Sequence, residues 1–565
     1  MRGCIKHLLK HVCFRYTAVH PNRSIALVRC FILRQTAFFT LLGFILITLM
    51  SCQAHSTSQT AQPHALPTWR PEIPQGALTL RDHSKTVYQA FQKDTYTFDV
   101  WFQDQAVGVM LWDIRTLSSG DIAYYLRFTP SDPKHMRSID KSDRSLTIML
   151  PIRLKGSYDM HYLTYDNEQS PSSAVWEKTI ISTDGSPLVS LPKASVWMTR
   201  LTPLEHASEQ SAAFLSLVDV FRPLGRDVVE ETYDLSPHLE LTAEGLSFDA
   251  PLATGYDIEQ WGILSEHTLV DWSDQTALDD LRIADLNRMR KWGARGQRYI
   301  TPESYDPSSP RGFYLNPAQH IGARFLVSAA KGNFFSDFIE LALMNAIETQ
   351  NKAGYWTMTQ RSNWLYNDYG IDGGYYDTRF STDAATFLAN AYERYPDPSI
   401  IDAARRYRDF LVDFATHHHH ETKSGGWFIY DYMHPAHQDT PTHTSLNHQL
   451  SEVNFLLAME KIEHDPNATS LITRALQAIR DTVDHWEKDD HDLAYAFYPD
   501  GTFGGQDYPL LTLKDLRITH AYLQNLETFK APSAFKDPVF HDLSYIEQLI
   551  AIKTAYLKSK NLPLY

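Results

Sequence analysis

Cysteine is almost missing from this 565-residue chain, and its four copies (Cys4, Cys13, Cys30 and Cys52) all fall within the first 52 residues. Everything beyond them therefore excludes intramolecular disulfides, cysteine-ligated zinc and thiol catalysis. Acidic residues are absent from the first 51 positions, which hold seven of the 52 lysines and arginines. The remainder sets 45 basic residues against all 67 acidic ones, a formal charge of −22. Such a body lacks the basic footprint that nucleic-acid binding requires. No apolar run of 18 residues follows position 52, which argues against a helical membrane bundle. Walker, dinucleotide-binding, HExxH and GxSxG elements are also absent, so no cofactor is expected. What is present is a chain 43% hydrophobic and 12% aromatic, rich enough to bury a core and too rich for disorder.

The N-terminus reads as an address. Residues 36–50 are apolar, Arg29 and Arg34 precede them, and Ser51-Cys52 followed by a polar stretch closes the segment. This is the plan of a signal peptide over 1–51. Leu49-Met50-Ser51-Cys52 resembles the bacterial lipobox, in which the cysteine is lipidated and becomes the first residue of a lipoprotein. The expectation is an extracytoplasmic protein held to a bacterial membrane through Cys52, with residues 52–84 as a polar tether.

From Tyr96 to about Asp274, short β-branched and aromatic runs alternate with turn clusters such as SSGD and RPLG. This predicts an antiparallel β-sandwich-like region over 85–274. Beyond Asp274 the hydrophobic period changes from two to 3.6. Asp397-Pro398 sets an N-cap and first-turn proline before Ile400, Ala404, Tyr407, Leu411 and Phe414. One-sided helices are expected near 276–292, 315–330, 335–350, 382–395, 398–416, 446–457, 471–486, 513–528 and 542–559. Aromatic, glycine-rich loops separate them, so 275–565 is expected to form an α/α toroid whose loops line a cleft.

Those loops concentrate Trp, Tyr, Asp, Arg and Gly, a mixture suited to sugar faces and hydroxyls. In order along the chain they present Gly354-Tyr355-Trp356-Thr357-Met358-Thr359-Gln360-Arg361, Gly374-Tyr375-Tyr376, Gly426-Trp427-Phe428-Ile429-Tyr430-Asp431-Tyr432, Ser445-Leu446-Asn447, Phe497-Tyr498-Pro499-Asp500 and Asp515-Leu516-Arg517-Ile518-Thr519-His520. Over roughly residues 350–530 this order resembles the C-terminal α/α domain of the D-glucuronyl C5-epimerases. The resemblance implies proton abstraction and return at C5 of a uronate within a polysaccharide. It implies Tyr498 as one proton-transfer group, Tyr430 or Tyr432 as the other, and Arg361 as the cation clamping the carboxylate. Trp356, Tyr376 and Trp427 are the accompanying substrate-binding aromatics. The chain departs from the family pattern at Leu516, where a tyrosine is usual, and after Tyr498, where an arginine and a histidine are usual. Tyr508 is a candidate for restoring the second phenol.

Two other glycan readings stay open, a glycoside hydrolase and a non-catalytic glycan binder. Asp372 with Asp377, and Asp500 with Asp507, are candidate carboxylate pairs for hydrolysis. The run His417–His420 fits a helix C-terminus better than a metal site, so no metal is expected. His520 reads as a hydrogen-bonded core histidine or a general base.

Overall fold

A computed structural model describes residues 69–564 apart from 90, 132–144, 166–173, 184–187, 202–209, 243–244, 285 and 319–331. The signal segment, Cys52 and the helix expected at 315–330 lie outside the described residues or largely so. Among the described residues no helix is long and apolar enough to cross a membrane.

The β region is a sandwich in which the larger sheet has fourteen antiparallel strands. Its spine runs through Gly76–Val87, Gln92–Phe102, Gln105–Thr116, Ile122–Pro130 and Asp257–Ser265 and then on to Gly312–Leu315, Gly296–Ile300 and Arg290–Gly293. A branch leaves Asp257–Ser265 through Ala212–Leu215 and Val196–Arg200. The smaller sheet has four strands, with Ser145–Leu150 and Leu246–Pro251 paired at its heart.

Period-two alternation gives the large sheet two buried faces. Tyr124, Leu126, Ala213 and Leu215 turn toward Ile148 and Phe248 of the small sheet. Their neighbours Ala123, Tyr125, Ala212 and Phe214 turn the other way, onto helical side chains such as Phe334 and Phe338.

The helices are α1 (Gln275–Ala284), α2 (Asn333–Thr349), α3 (Asn363–Tyr369), α4 (Thr378–Tyr392), α5 (Pro398–His417), α6 (Leu446–Ile462), α7 (Pro466–Asp481), α8 (Leu511–Gln524) and α9 (Ser544–Ser559). Helices α2, α4, α6 and α8 pack successively as an inner layer, and α5, α7 and α9 back them. Asp–Pro starts two of the outer helices: Asp397 accepts from Ser399 N at 2.8 Å, and Asp465 from Asn467 N and Ala468 N at 2.9 Å. The inner layer is not one-sided as expected. Residues 446–460 of α6 are buried all round, because α4, α7 and α8 surround the helix.

The expected boundaries shift in two places. Strand structure begins at Gly76, inside the stretch read as tether, and β pairing continues past Asp274 to Leu315. Helix α1 stops at Ala284, and the next residues form the hairpin Arg290–Gly293/Gly296–Ile300, with Gly296 at φ 115° in its turn. Arg115, fully buried in the sheet, pairs with Asp113 at 3.0 Å and donates to Asn345 Oδ1 on α2 at 2.9 Å, fastening the layers.

Candidate functional site

Two short strands and a hairpin run directly into or beside inner helices, and their junctions gather in one place. Tyr375–Asp377 leads into α4, Thr444–Ser445 leads into α6, and the hairpin Ala494–Phe497/Phe503–Gln506 precedes α8. Helices α4, α6 and α8 therefore aim their positive N-terminal ends at a common cleft. The cleft has a volume of about 510 Å³ and is lined chiefly by Tyr305, Trp364, Asp377, Tyr432, His448 and Tyr498, with Tyr375, Arg379, His443, Tyr495 and Tyr508 completing the wall.

Asp377 sits at the junction of strand and helix. It pairs in register with Tyr432, and its carboxylate caps α4 by accepting from Phe380 N at 3.0 Å. Burial pushes its pKa up to about 7, against the lowering pull of the Phe380 and Arg379 amides. The surrounding phenols of Tyr305, Tyr375, Tyr432 and Tyr495 are pushed well above their ordinary value, first by burial and then in part by Asp377.

Two histidines line the same cleft. His448 Nδ1 shares a hydrogen bond with Thr378 Oγ1 at 2.7 Å, and His443 Nδ1 shares one with Tyr369 Oη at 2.8 Å. Asp431 lies between them, 3.4 Å from His443 Nε2 and 3.6 Å from His448 Nδ1. The Asp431 carboxylate accepts from Ser445 N at 3.0 and 3.1 Å and from Ser445 Oγ, which sets the start of α6 and with it the ring of His448. Burial lowers His443 to about 4, and burial with Arg379 nearby lowers His448 well below its usual value. Both rings are therefore neutral across physiological pH.

The one arginine of the cleft wall, Arg379, is already committed. It pairs with Asp515 and with Asp383 at 3.3 Å, and donates to Asn447 O at 2.9 Å. Trp364, 38% exposed, stands at the mouth with its ring 5.6 Å from Tyr432 and 5.8 Å from His443. Tyr508, 51% exposed, closes the opposite rim.

Of the residues singled out from sequence, Tyr432, Tyr498 and Tyr508 line the cleft, as does Asp377. The others do not. Trp356 is wholly buried with Nε1 donating to Ala346 O at 2.8 Å, and Tyr376 shares a hydrogen bond with Tyr407 at 2.9 Å in the helical core. Trp427 stacks on His419 at 4.0 Å beneath Arg474, and Tyr430 packs on His420 at 4.6 Å. Arg361 pairs with Asp306 at 2.6 Å and lies over Tyr366, although its neighbour Ser362 reaches the cleft. Burial, with Asp368 and Asp500 nearby, raises the Tyr498 phenol above its ordinary value, which does not suit it to act as a base.

The carboxylate pairs come apart as well. Asp372 pairs with Arg226 at 2.6 Å, Asp500 binds Thr502, and Asp507 pairs with Lys553 at 2.7 Å. Leu516 is buried in α8, and His520 pairs with Glu547 at 3.2 Å near the surface rather than in the core. His417, His418 and His419 donate through Nδ1 to the carbonyls of Asp413, Phe414 and Ala415 at 2.7–3.0 Å, the expected helix-end arrangement. Among the described residues no three His, Cys, Asp or Glu side chains gather to hold a metal. The residues that sequence reasoning passed over are Arg379, Asp431, Trp364 and Tyr495. His443 and His448 belong with them, and their position just before and within the first turn of α6 was the available signal.

No protein-family model and no curated protein sequence matches the chain. Among solved structures it is similar to a family 76 glycoside hydrolase from a bovine Bacteroides thetaiotaomicron strain, at 10% identity over 74% of this chain and 75% of that one, TM-score 0.34. It is similar to a D-mannose isomerase at 16% identity over 42% and 60%, TM-score 0.28. It is also similar to cellobiose 2-epimerase from Spirochaeta thermophila DSM 6192 at 15% identity over 44% and 61%, TM-score 0.31.

Proposed function

We propose that this protein is a saccharide-modifying enzyme that transfers a proton on a sugar within the tyrosine-lined cleft, an epimerase- or isomerase-type reaction on a polysaccharide or oligosaccharide. The observation that carries the reading is Asp377, a carboxyl held near pKa 7 among neutral phenols in a cleft that two neutral histidines also line. Abstraction of a proton next to a sugar carbonyl needs a base and a donor for the developing oxyanion together. His448 is the base. Its Nδ1 is engaged by Thr378, and Nε2 has no hydrogen-bond partner among the described residues. Protonated Asp377 gives its proton to the carbonyl oxygen as His448 takes the one on carbon, forming a neutral enediol. Return of a proton to the other face, or to the adjacent carbon, completes epimerisation or isomerisation. The N-terminal ends of α4, α6 and α8 favour the negative charge as it develops.

Because Arg379 is matched by two carboxylates, the cleft suits a carbonyl on a neutral sugar better than a uronate carboxylate. We read the inner and outer helices as an α/α toroid, a reading supported by the successive packing of α4, α6 and α8 with α5, α7 and α9 behind them. The membrane address belongs to this proposal too, with Cys52 lipidated and the enzyme extracytoplasmic; mass spectrometry of the N-terminal peptide tests it, and an unmodified Cys52 in a membrane fraction would overturn it.

The reaction is tested by incubating neutral and uronate-containing oligosaccharides with the protein in deuterated water. Deuterium on carbon is expected, and His448→Gln should slow its uptake by roughly 10²–10⁴-fold, the usual cost of a lost acid or base. Tyr498→Phe should slow it far less, since its raised phenol is not the base. Release of new reducing ends without exchange would replace this reading by glycoside hydrolysis, with Asp377 as the general acid. Saturable binding with neither outcome would leave a glycan-binding protein.

A further inference from the structure

On the β region a second concavity of about 710 Å³ shares no lining residue with the cleft. We infer that it binds an acidic sugar residue, one carrying a carboxylate or a sulfate, independently of the reaction in the cleft. Its charge is opposite to that of the body. Lys193, Arg288 and Arg311 line it against one carboxylate, Glu231, which pairs at 2.8 Å with the buried Lys291 that it shares with Asp219. Neither Lys193 nor Arg311 makes an ion pair among the described residues, in a body where acidic residues outnumber basic ones by 22.

The wall also carries rings and a spare donor. Lys193 stands 5.3 Å over the ring of Tyr233, which is 42% exposed, and Arg288 lies 4.4 Å over Tyr165. Asn287 accepts from Ser195 N at 2.8 Å through Oδ1, which fixes the amide, and leaves its buried Nδ2 with no partner among the described residues. A buried donor without an acceptor is costly and points to a ligand oxygen. Cations for an acid group, an exposed phenol for a ring face and an unfilled amide donor together describe an acidic sugar. They do not describe an apolar ligand.

The test is calorimetric titration of the full chain with tri-galacturonate, a sulfated disaccharide, maltotriose and inorganic sulfate. One of the two acidic saccharides should bind saturably and more weakly as salt rises, and which one does identifies the acid group. Lys193→Ala with Arg311→Ala should weaken that binding at least tenfold. Asn287→Asp, which keeps the Ser195 bond and places an anion in the wall, should do the same with an unchanged Tm. Tyr233→Ala should weaken the saccharide but not sulfate, and Trp364→Ala in the cleft should leave the titration unaltered. Absence of binding by both acidic saccharides overturns the inference, as does binding of maltotriose that the Lys193 and Arg311 substitutions weaken equally, or binding of sulfate as tight as that of the saccharide. Loss of binding in Trp364→Ala would assign the ligand to the cleft and overturn it equally.

Discussion

Asp377 is placed so that one substitution separates its chemistry from its structural duty. Asparagine caps a helix about as well as aspartate, so Asp377→Asn should keep the bond from Phe380 N and the start of α4 while removing the proton. The pH profile of kcat/KM in the native protein should rise at acid pH as His448 becomes neutral and fall above about pH 7 as Asp377 ionises. The variant should lose the alkaline limb along with most of its rate. A fall above pH 7 that persists in the variant would show that another group supplies the proton. The stability effect has the opposite sense to that of a salt-bridged carboxylate. The folded state holds the Asp377 proton more tightly than the unfolded chain, so its contribution is fullest below about pH 4 and is lost as pH rises toward about 7. Denaturation curves of the variant should lack that decline. At this scale the sequence was informative about Tyr432, Tyr498 and Asp377 but not about Trp356 and Tyr376. Aromatic loops here contain strands of only two or three residues, too short to display the alternation that turns Tyr375 to the cleft and Tyr376 to the core.

At the scale of elements, a single lysine on α9 holds the hairpin that supplies Tyr495 and Tyr498. Lys553 is 0% exposed and lies 2.7 Å from both Asp492 and Asp507, which flank that hairpin. Removing one member of a buried ionic group strands the others, at a cost of about 3–5 kcal/mol. Lys553→Met should therefore lower the denaturation midpoint markedly and raise KM for the glycan, because the hairpin loses its anchor. A KM equal to that of the native protein would show that the hairpin is held by its other contacts. Helix existence was legible where caps and period agreed, as at Asp397-Pro398 and Asp465-Pro466. It failed over 286–292, where a helical spacing of apolar residues was overridden by glycines that turn a hairpin. Helix α3 escaped notice because seven residues in an aromatic loop carry too few turns to show a period. The burial of α6 on every side was hidden for a different reason: polar residues such as Asn447, His448 and Glu452 occupy its buried faces, so composition mimicked an exposed side.

For the molecule as a whole, the large sheet is common property of the sandwich and the helices. Phe214 and Trp261 pack with Phe334, whereas Ala213 and Leu215 on the same strand face the small sheet. The two parts should unfold together, giving one thermal transition with calorimetric and van't Hoff enthalpies that agree. Two resolved transitions would refute this. A fragment ending at Asp274, the boundary that the change of hydrophobic period suggested, should be insoluble because it omits three strands and uncovers the aromatic face. The switch from β to α patterning was real but did not mark a domain boundary. A sheet buried on both faces binds the parts on either side of it, and sequence periodicity carries no trace of that contact.

The anchoring of the cleft hairpin by Lys553 also orders events in time. A chain emerging from the ribosome completes its sheets and its first inner helices long before α9 is made. Until Lys553 arrives, Asp492 and Asp507 repel each other and the hairpin has no counterion to close upon. A chain that has not yet reached that lysine should therefore present an unfinished cleft, completed only once α9 has been made.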